Sequence, residues 1–338
     1  MSKGDYMAVT IKDIAREAGL GTSTVSAYLN GVTVREKNKA AIEAAIKKLG
    51  YIRNDFARGL KTHKSKTVGI IIPELSNTFG TTIIGSVEEV LSKSGYGILV
   101  CDYKATSKTQ AQTADFLLSK MVDALVVIMP NSDDGSFLDS AVKSGIPVVV
   151  IDRLINRNDV VQIVINNREV SYAATAQMLE AGHKSIGIIT GNPEIYTAAE
   201  RLGGYRDALI KSGCFNDKYI YDGGLSVEGG YLAMRELLGS HSEITGLFVT
   251  NYEMTVGAII ALNESGKKIG KDLSFVGFDN LDLSRVVTPR LAAVNQPLEA
   301  MGRAAGEILL KAMAAGTIQA QTITLTASFD KGQSIAKI

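Results

Sequence analysis

The sequence predicts an α/β protein: a small N-terminal three-helix helix-turn-helix module, then a core of two doubly wound parallel-sheet lobes. Three observations predict it. Residues 10 to 49 carry helical apolar spacing that is interrupted at Gly19 and Gly31. From Val68 onward, short Val/Ile runs alternate with helical stretches: VGIII, GILVC, ALVVIM, PVVVI, VQIVI, SIGIIT, GLFVT, LSFVGF and LAAV. Unbroken apolar runs of this length mark parallel strands covered on both faces. Charge is also unevenly divided, with 13 Lys+Arg against 6 Asp+Glu in residues 1 to 66 and 23 against 29 in the rest.

A chain of 338 residues with 46% hydrophobic content has enough apolar surface for two or three domains. No apolar run approaches the roughly 20 residues that span a bilayer, and no apolar leader is evident, so a cytoplasmic protein without a membrane partner is expected. Cys101 and Cys214 lie far apart and read as reduced, structural thiols. His63, His183 and His241 are scattered, so local spacing builds no metal site, and no cofactor is expected. A basic end on an acidic body is the footprint of a polyanion binder.

The first helix starts at Thr10-Ile11-Lys12-Asp13, a capping-box-like opening, and should end at the left-handed terminator Gly19. A second restarts near Thr22 and runs to Asn30, where Gly31 stops it. Its stretch AGLGTSTVSAYLNG has Val25 and Leu29 as inward anchors and short, hydroxyl-rich side chains elsewhere. The third runs from about Arg35 to Leu49, with Ala41, Ile42, Ala45, Ile46 and Leu49 inward and Lys37, Lys39, Lys47 and Lys48 outward. A helix-turn-helix seats its second helix in the major groove, where short or polar side chains let it approach base edges. Thr22, Ser23 and Ala27 would face those edges. The same pattern also allows an ordinary helical hairpin whose hydroxyls are merely solvated.

In the core, Glu74, Asp102, Asp152, Asn166, Asn251, Asp279 and Gln296 fall at or just beyond the carboxyl ends of predicted strands, where open α/β sheets bind ligands. Asp102 and Asn166 read better as turn formers or helix caps. Nine apolar runs, with similar openings at Val68 and Ile186, suggest two lobes joined edge to edge.

The chain resembles the lactose-repressor (LacI/GalR) family of bacterial transcription regulators. The matching residues are TIKDIAREAGL, TVSAYLNG, LGYIRNDFARGL, VGIIIPELSNTF, VDALVV, IPVVVIDR, GHKSIGIITG, ERLGGYRDAL, VTN, LSFVGFDN and VNQP, over essentially everything after Met7. The resemblance implies a DNA-binding domain over residues 1–52, a hinge helix and linker over 53–67, and a periplasmic-binding-protein-like core over 68–338 that binds effector and dimerises. It divides that core into an N-lobe of about 68–165 and 298–322 and a C-lobe of about 166–297 and 323–338, with a last strand near Ile323.

The DNA contacts so implied are Thr10, Thr22, Ser23, Thr24, Ser26, Ala27 and Asn30 in the head. Asn54, Ala57, Arg58 and Leu60 supply them in the hinge, where Leu60 takes the place of a minor-groove wedge. Ala27 replaces a longer polar side chain and offers only a methyl group. Gly21 stands where a Ser cap is common, which leaves Thr22 to cap the second helix. The effector contacts so implied are Asp152, Arg201, Asn251, Asp279 and Gln296, with Ser76 and Phe79 on the opposite wall. Carboxylates and a guanidinium suit sugar hydroxyls in a desolvated cleft. SNTFG lacks the proline and second aromatic of the common SNPFF, and the chain has no Trp, so a stacking lid falls to Phe79, Tyr252 or Phe278.

The function implied is a sequence-specific transcriptional repressor. A homodimer would bind near-palindromic double-stranded operator DNA, and a small effector, a sugar or sugar derivative, would control that affinity allosterically. The alternative, a two-lobed sugar-binding protein without a DNA role, leaves the first 60 residues unexplained. An enzyme is not expected, because no GxGxxG follows a strand, no P-loop occurs and the polar cleft groups include no nucleophile with an adjacent base.

Overall fold

The computed structural model describes residues 9–51, 64–76, 78–103, 109–128, 135–279 and 283–338. The chain divides into two units, Met1–Ser65 and Lys66–Ile338.

The first unit holds α1 (Ile11–Ala18), α2 (Thr22–Leu29) and α3 (Glu36–Leu49). The Thr10 amide and hydroxyl both donate to Asp13 Oδ2, at 3.0 and 2.7 Å, so the carboxylate sits in the first turn of α1. Those two bonds hold the Asp13 carboxyl below its ordinary pKa. Gly19, at φ 63°, ends α1 in the left-handed conformation that glycine adopts without steric cost. Ile14, Ala15, Val25, Ile42 and Ala45 form the buried centre, with Leu20, Leu29, Ile46 and Leu49 packed round it.

Gly21, not Thr22, caps α2. The Gly21 backbone is extended and its carbonyl accepts from the amides of Thr24 and Val25 at 3.0 and 3.2 Å, so Thr22 is already helical and exposed. The expected capping role of Thr22 is therefore corrected. A glycine cap is only a few tenths of a kcal/mol weaker than a serine one.

The second unit contains twelve strands: β1 (Thr67–Ile72), β2 (Gly97–Asp102), β3 (Ala124–Ile128), β4 (Val148–Ile151), β5 (Val161–Ile165), β6 (Ile186–Thr190), β7 (Ile220–Asp222), β8 (Gly246–Val249), β9 (Ser274–Phe278), β10 (Ala292–Asn295), β11 (Gln321–Leu325) and β12 (Ser328–Asp330). They make two six-stranded sheets, ordered β11-β5-β4-β3-β1-β2 and β12-β10-β9-β8-β6-β7. All pairings are parallel except β10 with β12. The helices are α4 (Thr78–Ser92), α5 (Gln110–Ser119), α6 (Asp139–Lys143), α7 (Asn167–Glu180), α8 (Tyr196–Ser212), α9 (Val227–Ser240), α10 (Tyr252–Glu264), α11 (Leu283–Val286) and α12 (Leu298–Ala315). No helix among the described residues is long and apolar enough to cross a membrane.

Each of the nine apolar runs lies on a strand, and two further strands, β7 and β12, appear with three residues each. The strand near Ile323 is β11, and its sheet differs from expectation. It pairs with β5 in the first lobe, Ile323 opposite Ile163, where the second lobe was expected to begin at residue 323. The return follows Leu325: Ala327 N–H donates to Asn166 Oδ1 at 2.8 Å, and β12 then joins β10 in the second sheet. Without β11, β5 would be an open edge whose Val161, Ile163 and Ile165 are all buried. Helices α4 and α12 meet at Gly302, where an added Cβ would lie 2.6 Å from the Ile83 carbonyl oxygen, so only glycine lets the two backbones approach this closely.

Candidate functional sites

On α2, at 100° per residue, Thr22, Ser26, Asn30, Ser23 and Ala27 sweep an outward arc of about 140°, while Val25 and Leu29 point to the centre. The arc consists of short, uncharged side chains, and Asn30 Nδ2 lies 3.4 Å from Ser26 Oγ. Thr24 falls about 60° beyond the arc and is half-buried. Lys12 and Arg16 are exposed on α1, and Arg35 and Lys37 are exposed at the start of α3. Thr10 is exposed, its hydroxyl already bonded to Asp13. Asn54, Ala57, Arg58 and Leu60 lie outside the described residues.

The second site is built on Arg201. It projects from the first turns of α8 and is 5% exposed. Nε donates to Asn167 Oδ1 at 2.8 Å, Nη1 to the Thr250 carbonyl at 2.7 Å, and the guanidinium lies 3.8 Å over the Phe278 ring. Stacking plus two directed bonds suits a planar guanidinium and could not be reproduced by lysine. Burial pulls the Arg201 pKa below its ordinary value, opposed by the charges of Asp279 and Asp152.

Those two carboxylates end β4 and β9. Each extends its ladder by one bond, Asp152 N–H to the Ile163 carbonyl at 2.9 Å and Asp279 N–H to the Val294 carbonyl at 2.8 Å. The chain then turns through the left-handed region, at φ 85° for Asp152 and 60° for Asp279. Such conformations are uncommon outside glycine and are tolerated best by Asp and Asn. Asp152 lies 3.5 Å from Arg153 Nε, and burial raises its pKa against the pull of Arg153 and Arg201. Asp279 Oδ2 accepts from Gln296 Nε2 at 2.8 Å, and burial pushes its carboxyl up to about 6.

Asp152, Arg201, Asp279 and Gln296 are thus one cluster. Asn251 is half-buried, and both ends of its amide are engaged at the start of α10: Oδ1 accepts from Met254 N–H at 2.9 Å, and Nδ2 donates to Glu253 Oε2 at 2.6 Å. Ser76 is exposed and donates to Glu74, while Phe79 packs on the apolar core. Phe278 is fully buried beneath Arg201, so the expectation that it could act as a lid is corrected; Tyr252 is exposed. Asp102 and Asn166 have structural bonds, to the Leu75 and Ala327 amides respectively.

Sequence reasoning missed Asn167 and the Thr250 carbonyl as the groups that orient Arg201. It also missed Tyr196, whose pKa is raised by burial and by the charges of Glu200 and Asp152. Arg153 stood in plain view, next to Asp152 in VVIDR.

A helix-turn-helix unit and a two-lobed core with this polar cluster, carried on one chain, define the class: a DNA-binding regulator with a sensor domain. Comparisons with known proteins agree. Residues 10–54 match the family described as bacterial regulatory proteins, lacI family, and residues 65–332 match periplasmic binding proteins and sugar binding domain of LacI family. The HTH-type transcriptional repressor PurR of Edwardsiella ictaluri is 32% identical, covering 97% of each chain. A lac repressor dimer bound to operator and the anti-inducer ONPF has the same fold at 22% identity, with a TM-score of 0.87 over 97% of this chain and 99% of that one. The regulator CelR in complex with cellobiose is 27% identical, with a TM-score of 0.73 over 96% and 99%. The chain belongs to the LacI family and is a DNA-binding transcriptional regulator, not an enzyme.

Proposed function

We propose that the protein is a repressor that binds a near-palindromic operator as a homodimer and whose operator affinity is set by a sugar or sugar derivative held at the Arg201 cluster. Thr22, Ser23, Ser26, Ala27 and Asn30 read base edges, with Thr10 and Thr24 on the flanking phosphates and Asn54, Ala57, Arg58 and Leu60 acting from the hinge. Asp152, Arg201, Asp279, Gln296 and Asn251 hold the effector on one side, with Ser76 and Phe79 facing it.

The observation that carries the sensor reading is Arg201 itself: a buried guanidinium with two strained carboxylates at the carboxyl ends of parallel strands. Stability alone favours an apolar replacement for such a buried charge group. The family's description of this domain as sugar binding, and the CelR complex with cellobiose, support a sugar as the ligand class. The departures at SNTFG leave the identity of the sugar to experiment.

The test is to select an operator from random duplex DNA and titrate a sugar panel into that complex. A near-palindromic consensus is expected, with affinity that falls steeply as salt rises. An effective sugar must change operator affinity, and operator must change sugar affinity by the same factor, of about 5- to 150-fold. Independent binding of the two overturns the allosteric reading.

A further inference from the structure

Three passages of chain join the two sheets of the core: β5 runs into α7 at Asn166, β10 into α12 at Gln296-Pro297, and β11 into β12 at Thr326-Ala327. Pairing sets the third passage between the other two. Ile165 lies opposite Leu325 at the last rung of the first sheet, and Asn295 lies opposite Ser328 at the first rung of β12 in the second.

The first two passages turn in the same way. Asn166 has φ −73° and ψ 57°, and Pro297 has φ −82° and ψ 62°. Both values are those of an inverse γ-turn, which at Pro297 is closed by the Leu298 amide donating to the Gln296 carbonyl at 2.9 Å. This conformation lies between the extended and helical regions, so a modest rotation about ψ re-aims everything that follows. The neighbouring residues Asn167 and Gln296 hold Arg201 and Asp279, each at 2.8 Å, so a shift of that cluster acts on both turns.

The third passage is held by a side chain. Thr326 and Ala327 lie between the two ladders, and Ala327 is buried, so its amide needs a partner. Asn166 supplies it: Ala327 N–H donates to Oδ1 at 2.8 Å, the Asn166 amide donates to the Leu325 carbonyl at 3.2 Å, and Nδ2 donates to Glu169 Oε2 at 3.2 Å. One residue thus forms the turn of its own passage and grips the next passage on both sides of Thr326.

We propose that Asn166 is the positioning residue of the inter-lobe hinge. Its amide clips the first and third passages into one unit, so the lobes turn about two points, the Asn166–Ala327 pair and Pro297, and the clip fixes the angle at rest. This holds whatever ligand the core takes.

Pulsed electron paramagnetic resonance on the full-length protein tests it. Spin labels are placed on Ser94→Cys in the first lobe and Ser242→Cys in the second, both exposed, in a Cys101→Ser, Cys214→Ser background. Unlabelled protein in excess keeps the measured distance within one chain. The parent should give one narrow distance peak. Asn166→Ala should broaden or shift it, with amide exchange at Ala327 faster by at least about tenfold. Asn166→Asp keeps the acceptor for Ala327 and loses only the donor to Glu169, so it should keep the parent's peak. Pro297→Gly loosens the other point and should broaden the peak while Ala327 stays protected, which tests the hinge even if Asn166→Ala does not fold. A parental peak in Asn166→Ala despite fast exchange makes the bond merely structural and overturns the proposal, as does a parental peak in Pro297→Gly or a broadened one in Asn166→Asp. Affinity of Asn166→Ala for an operator selected from random DNA should also move, by at least about threefold. Unchanged affinity beside a broadened peak upholds the hinge and instead breaks the allosteric reading of the core.

Discussion

Residues 9–51 close around five buried apolar side chains and keep their candidate DNA-reading groups outside, on a helix face without a single charge. The second lobe closes helices over both faces of a six-stranded sheet and keeps its candidate groups inside, as the Arg201 guanidinium and the Asp279 carboxylate, while Asp152, whose charge acts on Arg201, ends β4 of the first lobe. The head carries its function at almost no internal cost, but its core is so small that any loss there is felt at once. The lobe has apolar burial in excess and can tolerate desolvated charge and a left-handed aspartate, which stabilise nothing by themselves. Fragility in the head is thus a matter of size, and fragility in the lobe is a matter of unpaired charge.

The sharpest break in the lobe is Arg201→Ala. It leaves Asp152 and Asp279 without their shared cation and strands Asn167 and the Thr250 carbonyl, a loss of about 3 to 5 kcal/mol. A large fall in the denaturant midpoint of the core at pH 7 is expected. A midpoint equal to that of the parent protein would show that the cluster is not held by Arg201. In the head, Ile42→Ala should cost about 2 to 4 kcal/mol, since Ile42 is fully buried at the centre of α1, α2 and α3. For so small a core that is most of the available stability. Calorimetry should show the core transition unmoved, while operator binding disappears.

Asp279→Asn acts in the other direction. The folded-state pKa is raised, so the native protein binds more protons than the unfolded chain between about pH 4 and pH 6, and ionised Asp279 weakens the fold above that window. Asparagine removes the penalty. A gain on the order of 2 to 3 kcal/mol is expected at pH 7.5, shrinking to nothing as pH falls toward 4. Melts across that range check it, and a gain independent of pH would show that the charge of Asp279 is not its source. His183 has the opposite sign. It is buried, with Nε2 at 2.9 Å from the Ala336 carbonyl and Nδ1 at 2.9 Å from Thr245 Oγ1, and burial lowers its pKa. The second lobe should therefore lose stability as pH falls below about 6.5, and a His183→Gln variant should flatten that loss.

How much of this is legible in the sequence follows the range of the interactions. The nine apolar runs are strands because burial on both faces leaves a local signature, and Gly19 and Gly31 end helices for local steric reasons. Three-residue β7 and β12 carry too little pattern to be read. The sheet to which β11 belongs depends on its pairing with β5, remote in sequence, and its alternating QTITL would suit either lobe. Asp152, Arg201, Asp279 and Gln296 are visible through the motifs around them. Their partners Asn167 and Thr250 are not, and Phe278 is legible only as an aromatic for a lid, because the three meet one guanidinium only once α7, α8 and the ends of β8 and β9 are assembled. The left-handed backbone at two aspartates is likewise a product of the assembled sheets.

The smallest change separates the two regions most cleanly. Gly19 at the end of α1 and Gly213 at the end of α8 both adopt left-handed conformations, at φ 63° and 68°, and a Cβ added to either would meet nothing within 4 Å. Alanine at each therefore costs only the backbone term, about 1 kcal/mol, with no clash to confuse the comparison. Equal cost need not mean equal consequence. Gly213→Ala should move the core melt by a few degrees and leave operator affinity untouched. Gly19→Ala should leave the core melt where it was and measurably raise the unfolded fraction of the head, seen as faster amide exchange in α1 and weaker operator binding. Identical responses at the two positions would mean that the head is as deeply stabilised as the lobe, contrary to what its five buried side chains imply.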